Sequence, residues 1–161
     1  MRLISPSLLA SLALAAPYVS GQACSKHQSW NISELAIFTA APGGESSDLI
    51  DFAVVDPLVD YHVNPSESWN YFCQRQLPAG NAGSLADPVD YYTCIGSPTQ
   101  FKWDGVRLSL KEVVECGGNN VTATGTSKPV FATDCYATDA NGADGEWCLA
   151  TYDFNITITF T

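Results

Sequence analysis

Six cysteines, three glycosylation sequons, four tryptophans, two histidines and 17 carboxylates are the side chains of this 161-residue sequence best able to do chemistry. Cys24, Cys73, Cys94, Cys116, Cys135 and Cys148 are even in number, and neither a CxxC nor a paired-histidine spacing occurs. Disulfides are therefore favoured over zinc, with the pairing left open by spacing alone. Asn31-Ile32-Ser33, Asn120-Val121-Thr122 and Asn155-Ile156-Thr157 are N-glycosylation acceptors, whereas proline spoils Asn64-Pro65-Ser66. Neither His27 nor His62 belongs to a metal or triad motif, so both are expected on loops or the surface. A pair of carboxylates could hydrolyse glycosides, but only the fold can bring such a pair together. The acidic stretch 139–146 resembles a calcium loop in composition; Ala143 supplies no oxygen, and Ala150 stands where the closing Glu should be. A glycine-rich turn between Cys135 and Cys148 accounts for it better. Trp30, Trp69, Trp103 and Trp147 could form a sugar-stacking platform if exposed on one face, although each sits in or beside a strand, which favours core packing.

The elements that must position these groups are strands. Val106, Leu108 and Leu110 alternate with Arg107, Ser109 and Lys111, the period of a strand with one buried face. Cys148, Ala150, Tyr152, Phe154, Ile156, Ile158 and Phe160 share one parity over a longer distance, which predicts a single long C-terminal strand. Asn155 falls on its polar parity, and Asn120 on the polar parity of a strand in which Val121 and Ala123 are apolar, so glycans at both would face water. Asp104-Gly105, between 101–103 and 106–111, predicts a two-residue hairpin turn. Further strands are expected at 30–39, 49–55, 69–74, 91–94, 121–126 and 130–136, separated by Gly-, Pro- and Asn-rich turns. The apolar parity of the first changes between Ile32 and Leu35, the mark of a bulge. No amphipathic helix is evident; residues 84–90 could hold one helical turn. Many strands with short connections predict an all-β domain, an antiparallel β-barrel or a β-sandwich.

The ends and the charge set the context. Residues 1–21 carry one cation, Arg2, then an apolar run, then small residues at Val19 and Gly21, the pattern of a secretory signal peptide. Removing them leaves 140 residues, 22–161, as one domain with six Lys+Arg against 17 Asp+Glu. Such an acidic chain repels the phosphates of nucleic acid and anionic lipid, and no second apolar run is long enough to span a membrane. With a mean hydropathy of +0.02, the chain suits a folded domain rather than a disordered one.

With the residues placed, the chain resembles the Alternaria major-allergen family of small secreted fungal proteins over most of 24–161. The likeness lies in Trp30-Asn31-Ile32-Ser33-Glu34 at the first strand, Phe72-Cys73, Tyr91-Tyr92-Thr93-Cys94, Phe101-Lys102-Trp103-Asp104 running into Leu108-Ser109-Leu110-Lys111, and the late pair Cys135 and Cys148. The resemblance implies a single disulfide-stapled β-barrel, secretion, no known catalytic residues, and a role as allergen, elicitor or effector acting on plant defence. It also implies Cys73 paired with Cys94 and Cys135 with Cys148. In the family the first cysteine can bridge two subunits; here Cys116 is an additional partner, so Cys24 is expected to pair with Cys116 within one chain, favouring a monomer.

The sequence thus predicts an extracellular, non-enzymatic binding protein without cofactor or metal, whose partner is a host protein or a small ligand. The alternative is a small carbohydrate-active protein, either a glycan-binding module using exposed tryptophans or a glycoside hydrolase using two carboxylates.

Overall fold

The computed structural model describes residues 24, 28–43, 45–58, 70–78, 84–138 and 144–161. The signal segment, His27, His62, Trp69 and most of the acidic 139–146 stretch lie outside them. Eleven strands follow one another among the described residues: β1 (Ser29–Ala40), β2 (Leu49–Val55), β3 (Asn70–Gln76), β4 (Tyr92–Thr93), β5 (Gln100–Trp103), β6 (Leu108–Cys116), β7 (Asn119–Thr126), β8 (Asp134–Thr138), β9 (Gly145–Leu149), β10 (Phe154–Thr157) and β11 (Thr159–Phe160). No helix occurs among these residues. Segment 84–90 is turned instead by side chains: Ser84 Oγ accepts from the Ala86 amide, and Asp87 Oδ1 from those of Val89 and Asp90.

All pairing is antiparallel, in two sheets. The first has the order β3-β2-β1-β9-β8 with β10 also on β1, the second β11-β7-β6-β5-β4. The expected single barrel does not close among the described residues, and the arrangement is that of the sandwich alternative. Among the described residues the sheets are joined where the chain crosses from β10 in one to β11 in the other and where an isolated bridge links Phe72 to Ile95. Between them lie Trp30, Ile32, Phe52, Val54, Phe101, Trp103, Leu108, Leu110 and Ile156, all buried, with the rings of Phe52 and Phe101 edge to face at 5.0 Å.

The expected bulge is present. The β1–β2 register shifts between Ser33 and Ala36, and Glu34 takes a φ of 57°. The same bulge corrects the long C-terminal strand. Its first part, β9, pairs with Ala36–Ala40 and its later part, β10, with Ser29–Ile32, so the two lie end to end along one edge of β1. Opposite the bulge the ladder lapses, leaving the bond from the Ala150 amide to the Leu35 carbonyl while Thr151 to Asp153 turn outward. A second break at Ile158 carries the chain to the other sheet with its parity intact, since Ile156 and Ile158 are both buried.

The hairpin at Asp104 forms, with a longer connection than expected. Trp103 pairs with Leu108, leaving 104–107 as the turn. Asp104 Oδ1 accepts from the amides of Val106, at 2.9 Å, and Arg107, at 2.7 Å, which closes four residues where two were predicted and leaves Val106 exposed. The two-residue turn is at Gly117-Gly118, where both φ are positive, 59° and 83°, between Cys116 and its partner Asn119.

Candidate functional site

Two arrangements of side chains could bear on function: a carboxyl pair at one end of the core and a surface at the seam between the sheets. The carboxyl pair grows out of the strand pattern. Ile50, Phe52 and Val54 point inward from β2, and Asp56 continues their parity just past its end. On β6, Leu108 and Leu110 point inward and Glu112 continues theirs. Both carboxyls are thus delivered to the interior, where Asp56 is fully buried and Glu112 is 4% exposed.

Buried Thr99 joins them: its Oγ1 lies 2.8 Å from Asp56 Oδ2 and 3.2 Å from Glu112 Oε2, while it accepts from Ser97 Oγ at 2.8 Å. The Leu58 amide donates to the other Asp56 oxygen at 2.9 Å. Burial, then a hydrogen bond to Asp56 and the charge of Asp56, push the Glu112 carboxyl up to about 9. Glu112 therefore holds a proton at neutral pH and shares it with Asp56, as two carboxyls at one site must when water is excluded. Burial, reinforced by the same two carboxyls, raises the nearby Tyr71 phenol. A glycosidase needs room for a sugar between its carboxyls, roughly 5 to 9 Å. Asp56 and Glu112 are hydrogen-bonded to each other and closed off from solvent, so this pair is a proton-sharing structural element and not a hydrolytic one.

The seam is the second arrangement. Cys73 of β3 and Cys94, next to β4, pair with a Cα separation of 4.2 Å in the core. Their neighbours Phe72 and Ile95 form the bridge, with the Ile95 amide donating to the Phe72 carbonyl at 2.7 Å. Pointing the opposite way from the buried disulfide, Phe72 is 40% and Ile95 62% exposed. On the opposite, inward parity of β3, Arg75 faces buried Ile50 across the ladder, sits over the Tyr92 ring, 4.2 Å from its centroid, and lies within 3.4 Å of Asp87. The Tyr92 hydroxyl donates to the same carboxylate. Backbone amide donation from Asp90, then Tyr92 and the Val89 amide, hold Asp87 down at about 2. Lys102 and Lys111 flank Tyr91, at 5.0 and 5.7 Å from its centroid. The outer face of the seam thus presents one aromatic and one aliphatic side chain, Phe72 and Ile95, on backbone held by a disulfide.

The other cysteines also lie in pairs. Cys135 and Cys148 face each other directly across β8 and β9, Cα atoms 4.0 Å apart, and Cys24 lies 5.8 Å by Cα from Cys116 at the β6–β7 turn. All three pairs are at disulfide distance, which suits an oxidising compartment. Glu146 lies close to Cys135 and Cys148, but paired sulfurs offer no thiolate to a metal. Of the tryptophans described, Trp30 and Trp103 are core residues and Trp147 packs on Phe38 at 5.1 Å, so these three form no exposed platform. Asn120 and Asn155 are exposed, as their parity predicts, while Asn31 is half-buried.

No protein-family model matches the sequence, and no curated relative does. Among solved structures, the chain is similar to two crystal structures of the Alternaria alternata major allergen Alt a 1. One is 18% identical with a TM-score of 0.55, covering 91% of this chain and 95% of that one. The other is also 18% identical, with a TM-score of 0.54, covering 87% and 98%. The chain thus shares the fold of that allergen.

Proposed function

We propose that this is a secreted, non-enzymatic binding protein, effector- or elicitor-like, that engages a plant or other host partner through the seam between its sheets. The observation that carries the reading is the Phe72–Ile95 pair, two apolar side chains held in the open by a ladder bond and a disulfide beneath them. Aromatic and apolar anchors are what protein interfaces concentrate at their centres, and prior rigidity lowers the entropy cost of binding. The likeness to an allergen fold and the closed carboxyl pair support binding over catalysis. The signal-peptide pattern at 1–21 supports export.

Capture of a partner from plant apoplastic extract, run beside a turnover assay on cell-wall glycans, tests this. The mature protein should retain a partner that Ile95→Asp loses by at least tenfold, and should release no reducing ends. Turnover of a glycan, or retention unchanged in Ile95→Asp, would contradict the reading.

The protein acts as a monomer on this account, since Cys24 and Cys116 are within bonding distance in one chain. It should run as a single chain in non-reducing electrophoresis, with peptide mapping finding Cys24 joined to Cys116. A dimer linked Cys24 to Cys24 that collapses on reduction would overturn this.

A further inference from the structure

Two sequons meet on the surface of the first sheet. Asn31 of β1 and Asn155 of β10 are direct cross-strand partners, and Asn31 Nδ2 donates to Asn155 Oδ1 at 3.2 Å. The two residues are not equivalent. Asn31 lies on an inner strand, flanked by Val55 on one side and Asn155 on the other, and is half-buried; the nitrogen that would carry a sugar is the one already touching Asn155. Asn155 is exposed, and it uses its oxygen in the pair.

Asn155 also lines a groove of about 340 Å³ together with Lys128, Pro129, Val130, Tyr152 and Phe154. Tyr152 is 51% exposed, and its ring meets that of Phe154 edge to face at 6.4 Å. An aromatic ring face, two aliphatic walls and one ammonium suit a pyranose, which offers apolar C–H faces and hydroxyls at its edge. We infer that Asn155 is the glycosylated member of this facing pair, and that the first sugars of its own glycan lie in the groove against Tyr152. This rests on passage through a glycosylating secretory pathway, as proposed above.

The modification forms a bond from Asn155 Nδ2 to the anomeric carbon of an oligosaccharide delivered on a lipid pyrophosphate. The amide loses one proton, the lipid pyrophosphate leaves, and nothing is oxidised or reduced. Asn155 Oδ1 is untouched, so it goes on accepting from Asn31. The attachment point at the rim makes filling the groove an intramolecular event, favoured by a high effective concentration. A glycan so placed covers apolar surface that a secreted protein otherwise exposes to water.

The test is expression of the full chain in a eukaryotic secretory host, glycopeptide mapping, and the rate at which a peptide-N-glycosidase releases each glycan from the folded protein. Asn155 should be occupied and Asn31 bare, with Asn155 glycan released at least tenfold more slowly than that on exposed Asn120. Tyr152→Ala, or Lys128→Ala should the first not fold, should bring the Asn155 rate up at least threefold. Sugar on Asn31, alone or with Asn155, overturns the assignment of the pair; equal release rates from Asn155 and Asn120 overturn the docking. A chain bare at Asn31 and Asn155 but modified at Asn120 overturns the inference and leaves secretion standing, whereas one bare at all three overturns the glycosylated passage itself.

Discussion

Replacing Cys73 and Cys94 together by alanine is expected to lower the melting temperature by roughly 10 °C, and by more than replacing Cys135 and Cys148 does. Releasing a loop with a sequence separation of 21 costs about 3 kcal/mol in the chain-entropy model. The separation of 13 for Cys135 and Cys148 differs from it by only about 0.4 kcal/mol on that basis. Position decides the rest. Cys73 and Cys94 are buried and join the edge of one sheet to the edge of the other, where among the described residues the Phe72–Ile95 bridge is the one ladder contact. Cys135 and Cys148 join two strands already zipped along five residue pairs at the surface. Thermal melts of the two double variants separate these contributions, since a shift of about 10 °C corresponds to roughly 3 kcal/mol in a domain of this size. Equal shifts would mean that the seam does not depend on its disulfide.

The second large effect is on pH. The folded-state pKa of Glu112, about 9, is raised above its ordinary value, so the folded protein holds a proton there that the unfolded chain releases above about pH 4.5. The stabilisation is complete below that ordinary value and is lost as pH rises toward about 9. For one proton the slope is at most about 1.4 kcal/mol per pH unit, so stability falls through this group between pH 5 and pH 8. Burial and the charge of Glu34 raise Asp51, which acts in the same direction, whereas Asp87 and Asp104, lowered mainly by backbone amides, lose their contribution on acidification instead. Glu112→Gln isolates the pair: the amide donates to Asp56 as the protonated acid does and does not titrate. The variant should match the parent near pH 5 and exceed it in denaturant midpoint at pH 8. Glu112→Ala should cost about 1.5 to 3 kcal/mol, because it removes the hydrogen bond between the protonated acid and buried Asp56, which keeps those from Thr99 and the Leu58 amide. A parent whose midpoint stays level from pH 5 to 8 would show that the two carboxyls do not share a proton.

The strand pattern was readable where one face is apolar. The parity change between Ile32 and Leu35 marks the bulge, and the parities around Asn120 and Asn155 place both side chains outside. The carboxyl pair was written in the same alternation: Asp56 follows Ile50, Phe52 and Val54, and Glu112 follows Leu108 and Leu110, each two residues beyond an inward apolar position. A carboxylate that extends an apolar parity signals a buried acid, but which two meet depends on how β2 packs across β6, which no local spacing encodes. The break in the C-terminal strand was hidden for a related reason, since its residues keep one parity throughout and the interruption is imposed by the bulge in β1. The two-residue turn was expected at Asp104-Gly105, but it is Gly117-Gly118 that takes positive φ at both residues, whereas Asp104 closes its longer turn with a side chain. The seam could not be read because Phe72 sits on β3, whose residues show no apolar alternation, and Ile95 lies beyond the two-residue β4.

Binding through the Phe72–Ile95 seam is the action proposed for this protein. Its most direct test is the oxidative burst of leaf tissue infiltrated with the mature protein, compared with Ile95→Asp of matched fold by circular dichroism. The parent should raise a burst that falls at least tenfold in the variant. A burst of equal size from both would contradict it.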